Sequence, residues 1–169
     1  MNECVRYTLP IPYPDVQNIQ PNPSTARLLL GDYAGPDSEL TAITQYLYQS
    51  VCAARAGRQE LAELLECLAM TEMRHLKLLA KTIAALGVEP RYVSYQRGRP
   101  MWWSSNIVRY ESSPSRMIAL SLAGERAAVR AYRQRLNQVR DEQVRQILER
   151  IAADEEHHVQ LLTLAAAQC

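Results

Sequence analysis

Apolar residues recur at alternating steps of four and three along four stretches of the chain that contain no proline. This spacing is typical of helices that pack side by side in a bundle, and proline disrupts helix interiors. The pattern predicts four long helices, over residues 37–56, 58–86, 114–139 and 141–167. Gly57 and Gly87 stand where helix-ending glycines belong, and Ser113 followed by Pro114 indicates a capped helix start. The break near Asp141 contains neither glycine nor proline.

The segment before the first long helix has a different character. Residues 1–24 contain five prolines, and we expect an extended arm that packs on the body of the protein or on a neighbouring molecule. Residues 25–34 favour a short helix. The expected organisation is therefore this arm followed by an all-α four-helix bundle over residues 25–169.

The connection between the second and third long helices is the longest in the chain. Residues 88–113 show no clear periodicity, and a connection of this length is typical of a crossover that runs the height of a bundle, or of a functional flap. It carries Trp102 and Trp103. We expect these tryptophans to plug the side of the bundle; the alternative is a lid over a site.

Acidic residues interrupt the apolar stripe of every predicted helix. On the second and fourth helices, a histidine follows the glutamate three residues later on the same face. The polar residues of the four stripes are Glu39, Glu72, His75, Glu125, Glu155 and His158. Each buried carboxylate is costly to remove from water, and the stripes contain no lysine or arginine to balance the charge. Two divalent cations would balance four carboxylates, with one nitrogen ligand from each histidine. We therefore predict a dimetal site.

The same arrangement occurs in both halves of the chain. Each half has a helix with a glutamate and a tyrosine seven residues later, then a helix with Glu-x-x-His. A pseudo-two-fold relation would place two metals side by side, as in dimetal bundles. The repeated tyrosines, Tyr46 and Tyr132, are candidate catalytic residues that could hydrogen-bond carboxylates or donate protons or electrons. The alternative is that they are interior tyrosines with satisfied hydroxyls.

The fourth helix offers a second pair of ligands. Asp154 and His157 have the same spacing as Glu155 and His158. The apolar stripe of this helix selects the second of these pairs, and the first is kept as an alternative.

Composition and charge narrow the class of protein. The chain is 47% hydrophobic and 22% charged, with a formal net charge of +1, which is the balance of an ordinary soluble globular protein. A near-neutral charge argues against nucleic acid or an anionic membrane as a partner. The four cysteines, at positions 4, 52, 67 and 169, form no C-x-x-C pair. We expect free thiols in a reducing, cytoplasmic compartment, with no leader for secretion.

With these residues in view, the chain resembles the ferritin-like superfamily, which includes rubrerythrins, bacterioferritins and manganese catalases. The stretches NPSTARLLLGDYAGPDSELTAITQYLYQS and AMTEMRHLKLLAKTI look most like the manganese-catalase branch and its spore-coat relatives. The six polar residues are also similar to the ligands of bacterioferritin. The resemblance implies two iron or two manganese ions, with Glu39 and Glu155 as terminal carboxylates and Glu72 and Glu125 as bridges.

The chain departs from rubrerythrins in two respects. Rubrerythrins have a further glutamate one turn after the third-helix glutamate, where this chain has Ala128. They also usually carry a rubredoxin-like module, so electrons here would come from an external donor protein. Met73 matches the position of the haem-ligating methionine of bacterioferritin, with ordinary packing as the alternative.

The expected function is a dimetal oxidoreductase acting on peroxide or dioxygen, as a catalase, a peroxidase or an oxidase. Alternatives are a ferroxidase that stores iron in a hollow shell, a structural coat-type protein that retains the metals, and DNA binding in the manner of starvation ferritins. A homo-oligomer, a dimer or larger, is expected. The ligand types do not distinguish iron from manganese.

Overall fold

Five α-helices form most of the chain in the computed structural model, which describes residues 3–167. The helices are α1 (Pro23–Ala34), α2 (Glu39–Arg55), α3 (Gln59–Ala85), α4 (Pro114–Gln138) and α5 (Glu142–Ala166). The last four are the predicted long helices, and each of their ends lies within two residues of the predicted position. They form the expected four-helix bundle. The short helix expected over 25–34 is also present, and it begins at Pro23.

Local side-chain chemistry explains where the helices begin and end. The Asp141 carboxylate accepts a hydrogen bond from the backbone N–H of Val144 and caps α5. A capping aspartate therefore makes the break that lacks glycine and proline. Gly57 and Gly87 have φ values of 72° and 88° after α2 and α3, a left-handed conformation that favours glycine. Ser113 occupies the cap position of α4, but its side chain forms no capping hydrogen bond.

The helices pack as two hairpins, α2 with α3 and α4 with α5. Two apolar clusters fill the interior, one at each end of the bundle. The cluster nearer α1 includes Leu30, Leu79 and Ile151. The other includes Leu68 and Leu162. Since Leu68 and Leu79 belong to different clusters, the polar residues between them on α3 lie in the middle layer of the bundle.

The crossover from α3 to α4 contains a β-hairpin that the periodicity does not predict. Strands β1 (Val93–Gln96) and β2 (Arg99–Trp102) pair antiparallel. Arg97 and Gly98 form the two-residue turn with φ values of 50° and 77°, as the twist of a tight hairpin requires. The hairpin packs against α1.

The two tryptophans of the crossover lie in different environments. Trp103 is partly buried, and its Nε1–H donates to Thr41 Oγ1 at 3.0 Å. Trp102 is 63% exposed. The expectation that both tryptophans plug the bundle is therefore wrong for Trp102, because the strand directs it to solvent.

The N-terminal arm is joined to α3 by a disulfide between Cys4 and Cys67. The expectation of free thiols is therefore wrong for these two residues, because packing of the arm on α3 pairs cysteines 63 residues apart. Cys52 is a free cysteine, and Cys169 lies outside the described residues. Disulfides persist mainly in oxidising compartments, so the argument from free thiols to a reducing compartment fails.

Further along, the arm follows the bundle surface and inserts apolar side chains. Tyr13, Val16 and Ile19 pack against the cluster nearer α1. The backbone carbonyl of Asp15 accepts a hydrogen bond from Gln143 on α5. None of the helices in the described part of the chain is long and apolar enough to cross a membrane.

Candidate metal centre

The structure brings all six predicted ligands together in the middle layer of the bundle. They come from α2 (Glu39), α3 (Glu72 and His75), α4 (Glu125) and α5 (Glu155 and His158). Each is at most 5% exposed. Their donor atoms form two groups, and within each group the atoms lie within 4.8 Å of one another. The first group is Glu39, Glu72, His75 and Glu155, and the second is Glu72, Glu125, Glu155 and His158.

Two glutamates belong to both groups and face one histidine with each oxygen. Glu72 Oε2 lies 2.8 Å from His75 Nδ1, and Glu72 Oε1 lies 2.9 Å from His158 Nδ1. Glu155 Oε1 lies 3.1 Å from His75 Nδ1, and its Oε2 lies 3.5 Å from His158 Nδ1. Glu125 belongs to one group only. Glu155, rather than Glu125, therefore lies beside both histidines, whereas the resemblance implies Glu125 as a bridge and Glu155 as a terminal carboxylate.

Burial and mutual repulsion shift the pKa values of the carboxylates. Burial, followed by the charges of Glu72 and Glu155, raises the pKa of Glu39 well above its usual value. Burial and the nearby Glu155 raise the pKa of Glu125 to about 8. In the part of the chain that the structure describes, the ion-pair partners of the four glutamates are His75 and His158. The cluster therefore lacks a permanent positive charge of its own.

The histidines respond to the same crowding in the opposite sense. Burial alone would lower the pKa of each ring, but the charge of Glu72 and the close approach of the neighbouring carboxylates raise both pKa values well above the usual value. In the absence of metal, protons on these rings would be the counter-charges to the carboxylates. A metal ion at either group would take over that role and release protons.

The donor atoms themselves fit divalent cations. Glu72 Oε1, Glu155 Oε1 and His158 Nδ1 are fully buried and form no hydrogen bond within residues 3–167. The 2.9 Å contact between Glu72 Oε1 and His158 Nδ1 is a close approach without hydrogen-bond geometry. Buried polar atoms are normally paired, so unpaired donors aimed at one another indicate ligands. Carboxylate oxygens with one imidazole nitrogen in each group suit iron or manganese.

Both predicted tyrosines contact the cluster, and they do so across the bundle. The Tyr46 hydroxyl on α2 donates to Glu125 Oε1 on α4. The Tyr132 hydroxyl on α4 donates to Glu39 Oε1 on α2. Burial, followed by the charge of the contacted glutamate, raises both tyrosine pKa values well above the usual value. The hydroxyls therefore remain protonated and act as donors.

The alternative pair on α5 does not join the cluster. Neither Asp154 nor His157 belongs to either group of donor atoms. His157 is partly exposed. Asp154 instead accepts a hydrogen bond from His75 Nε2–H at 2.9 Å. Asp154 thus supports a histidine of the cluster from outside.

The sequence analysis did not predict that two other residues contact Asp154. The Tyr13 hydroxyl donates to Asp154 Oδ2 at 2.6 Å, and the buried Arg150 lies 2.6 Å from Asp154 Oδ1. Burial raises the pKa of Asp154, but hydrogen bonds from His75 and Arg150 outweigh it and hold this pKa well below the usual value. The four-residue spacing of Arg150 and Asp154 is a signal for their ion pair. No spacing or motif in the sequence of the arm predicts the contact of Tyr13 with Asp154.

A cavity of about 90 Å³ adjoins the cluster on the side of α2 and α4. Its lining includes Tyr46, Tyr132, Gly124 and the short side chain of Ala128, and it extends to Arg109 of the crossover. A Cβ added at Gly124 would meet nothing within 4 Å. The absence of side-chain bulk at these two positions therefore leaves space beside the glutamates.

Met73, the candidate haem ligand, is 45% exposed on α3.

Comparison with known proteins identifies the same architecture elsewhere. The manganese catalase KatB from Anabaena PCC7120 superposes with a TM-score of 0.83 at 23% sequence identity, covering 95% of this chain and 79% of that one. Mycobacterium tuberculosis bacterioferritin BfrA gives 0.72 at 27% identity, covering 89% and 88%. Desulfovibrio desulfuricans bacterioferritin, a protein with a diiron site, gives 0.70 at 25%, covering 85% and 78%. No curated protein sequence matches significantly.

The four-helix bundle and its two overlapping glutamate–histidine groups are consistent with a dinuclear metal site of the carboxylate type. The family model described as "Ferritin-like domain" matches residues 37–168, which is most of the chain. The chain therefore belongs to the ferritin-like family. The resemblance stated from the sequence is confirmed.

Proposed function

We propose that this protein is a dimetal oxidoreductase that acts on hydrogen peroxide or dioxygen. The observation that carries the proposal is a buried cluster of two overlapping ligand groups that adjoins a cavity of about 90 Å³. A cavity of this volume has room for a few molecules the size of water, so it can admit hydrogen peroxide or dioxygen. The structural similarity to a manganese catalase and to a diiron bacterioferritin supports the same function.

The six residues divide into two half-sites with shared bridges. Glu39 and His75 would hold one metal ion, and Glu125 and His158 would hold the other. Glu72 and Glu155 would bridge them, because each directs one oxygen to each half-site. Two iron or two manganese ions held there would supply Lewis acidity and a two-electron redox change.

The tyrosines act on the carboxylates and on the substrate cavity. Each hydroxyl fixes a terminal glutamate, Tyr46 holding Glu125 and Tyr132 holding Glu39. Both also line the cavity. They therefore keep their glutamates oriented beside the space in which the substrate would bind.

The proposal is tested by metal content together with peroxide turnover. Elemental analysis by mass spectrometry should find close to two iron or two manganese atoms per chain. Catalase activity converts two hydrogen peroxide molecules into dioxygen and two waters, and it needs no other reactant. Oxygen evolution therefore separates a catalase from a peroxidase or oxidase, which requires an external electron donor protein. Failure to bind metal after anaerobic reconstitution would refute the proposal.

A ferroxidase with iron storage is the second candidate. It is favoured by the 27% identity to bacterioferritin BfrA over 89% of this chain. Storage requires a large hollow oligomer, whereas an oxidoreductase does not; for it we propose a homo-oligomer that is a dimer or larger. Size-exclusion chromatography with iron loading distinguishes them, because a storage shell retains many iron atoms per chain. Bound metal without turnover or storage would favour a structural coat-type protein.

A further inference from the structure

The two halves of the metal centre differ at the residue that precedes each Glu-x-x-His motif. Asp154 precedes Glu155, whereas Thr71 precedes Glu72. The Thr71 hydroxyl donates to the backbone carbonyl of Cys67, one turn earlier in its own helix, at 3.2 Å. Asp154 instead reaches across the bundle to His75. The pseudo-two-fold relation of the helices is therefore broken immediately outside the ligands.

This difference gives the two histidines different partners. His75 Nδ1 faces the glutamates, and His75 Nε2 is hydrogen-bonded to Asp154 Oδ2 at 2.9 Å. His158 Nδ1 also faces the glutamates, but its Nε2 is buried and has no hydrogen-bond partner in the described part of the chain. A carboxylate on the outer ring nitrogen fixes the ring and makes a histidine a better metal ligand. Only His75 has this support.

The N-terminal arm holds that support in place. Tyr13 and His75 donate to the same oxygen of Asp154, at 2.6 and 2.9 Å. Arg150 lies 2.6 Å from the other oxygen, and its guanidinium stacks 4.3 Å from the centre of the Tyr13 ring. Arg150 Nε–H also donates to the backbone carbonyl of Ile11 at 3.0 Å. The arm therefore fixes both Asp154 and the arginine that pairs with it.

We propose that Tyr13 is a positioning residue that acts through Asp154 on His75, so that the half-site of Glu39 and His75 binds divalent metal more tightly than the half-site of Glu125 and His158. This inference rests on the dimetal site proposed above. It adds that the two metals bind in a defined order and that a residue outside the family bundle sets this order.

The test is a Mn²⁺ titration of the chelator-treated full chain, with free Mn²⁺ measured by electron paramagnetic resonance. Tyr13→Phe removes one hydroxyl and leaves the pair of Arg150 and Asp154 intact, so the variant is expected to fold. It should weaken binding of the first Mn²⁺ by up to about ten-fold, the lower end of the effect of removing an outer-shell partner itself, because the Asp154 carboxylate remains, and it should leave the second step unchanged. Tyr7→Phe, in the same arm, is the matched control and should bind both ions as the wild type does.

Two further variants assign the steps to half-sites. His158→Ala should retain the tight first step, and His75→Ala should lose it. Co²⁺ provides a spectroscopic check, because its visible absorption reports ligand geometry. With one equivalent bound, the spectrum should change in Tyr13→Phe and remain that of the wild type in Tyr7→Phe. If Tyr13 had a purely structural role, the Co²⁺ spectrum of Tyr13→Phe would not differ from that of Tyr7→Phe.

The inference is overturned if Tyr13→Phe leaves the first step unchanged or tightens it, or if it weakens both steps equally. It is also overturned if His75→Ala keeps the tight step. In each of these cases the wild type still binds two ions, and the proposed function stands. If the wild type binds no Mn²⁺, Fe²⁺ or Co²⁺, the proposed function and the inference fail together.

Discussion

The disulfide between Cys4 and Cys67 is predicted to provide a large part of the folding stability. It closes a loop between residues separated by 63 positions. Loop-closure entropy for a loop of this length amounts to about 4 kcal/mol at 25 °C. Domains are typically stable by only about 5–15 kcal/mol. Cys4→Ala should therefore lower the free energy of unfolding by about 4 kcal/mol, and the melting temperature by roughly 8–16 °C for a chain of this size.

Urea unfolding of the chelator-treated protein, followed by circular dichroism, measures this loss without the added stability from bound metal. Cys52→Ala is the matched control, because Cys52 is a free cysteine, and it should unfold close to the wild type. Dithiothreitol should lower the stability of the wild type and of Cys52→Ala but not that of Cys4→Ala. A loss below about 1 kcal/mol, far under the entropic value, or an equal effect of reductant on all three proteins, would refute the reasoning.

Three further predictions concern the metal centre. Glu125→Ala should lower the metal content toward one ion per chain, measured by elemental analysis, whereas exposed Glu156→Ala should keep two; two metals in Glu125→Ala would contradict the ligand assignment. Gly124→Ala should raise the free energy of unfolding by about 0.5–1 kcal/mol, because the added Cβ meets no neighbour, and an unchanged or lower urea midpoint would contradict this. Metal-free protein should lose stability as the pH rises from 5 to 8. The folded pKa of Glu125 is about 8, and that of Glu39 is also raised, so the folded state binds protons that the unfolded state has released. A urea midpoint that is constant or higher at pH 8 would contradict this prediction.

The helices and the ligand set could be predicted because both depend on one period. A helix face repeats every three or four residues, so a glutamate in phase with buried leucines must itself be buried. Glu72 and His75 lie between Leu68 and Leu79 in the sequence and also in the bundle. The same phase argument selected Glu155 and His158 over the alternative pair of Asp154 and His157, and His157 lies partly exposed.

Features that depend on contacts between distant segments of the chain could not be predicted from the helical repeat. The disulfide pairs cysteines of the arm and α3, and Tyr13 reaches Asp154 over 141 positions. The sharing of Glu155, rather than Glu125, between the two donor groups was also not predicted, because it depends on side-chain orientation rather than on helix face. The β-hairpin was missed because its second strand is exposed along its whole length and shows no alternation of apolar and polar residues.

The two long sides of the metal centre are built differently, and this separates substrate access from ligand positioning. On the side of α2 and α4, the small residues Gly124 and Ala128 leave a cavity beside the cluster. On the side of α3 and α5, the arm places Tyr13 against Asp154 and Arg150 and so supports a buried histidine. A change that loosens the arm should therefore alter metal affinity before it alters access of peroxide. A change that fills the cavity, such as Gly124→Leu, should reduce turnover while both metals remain bound.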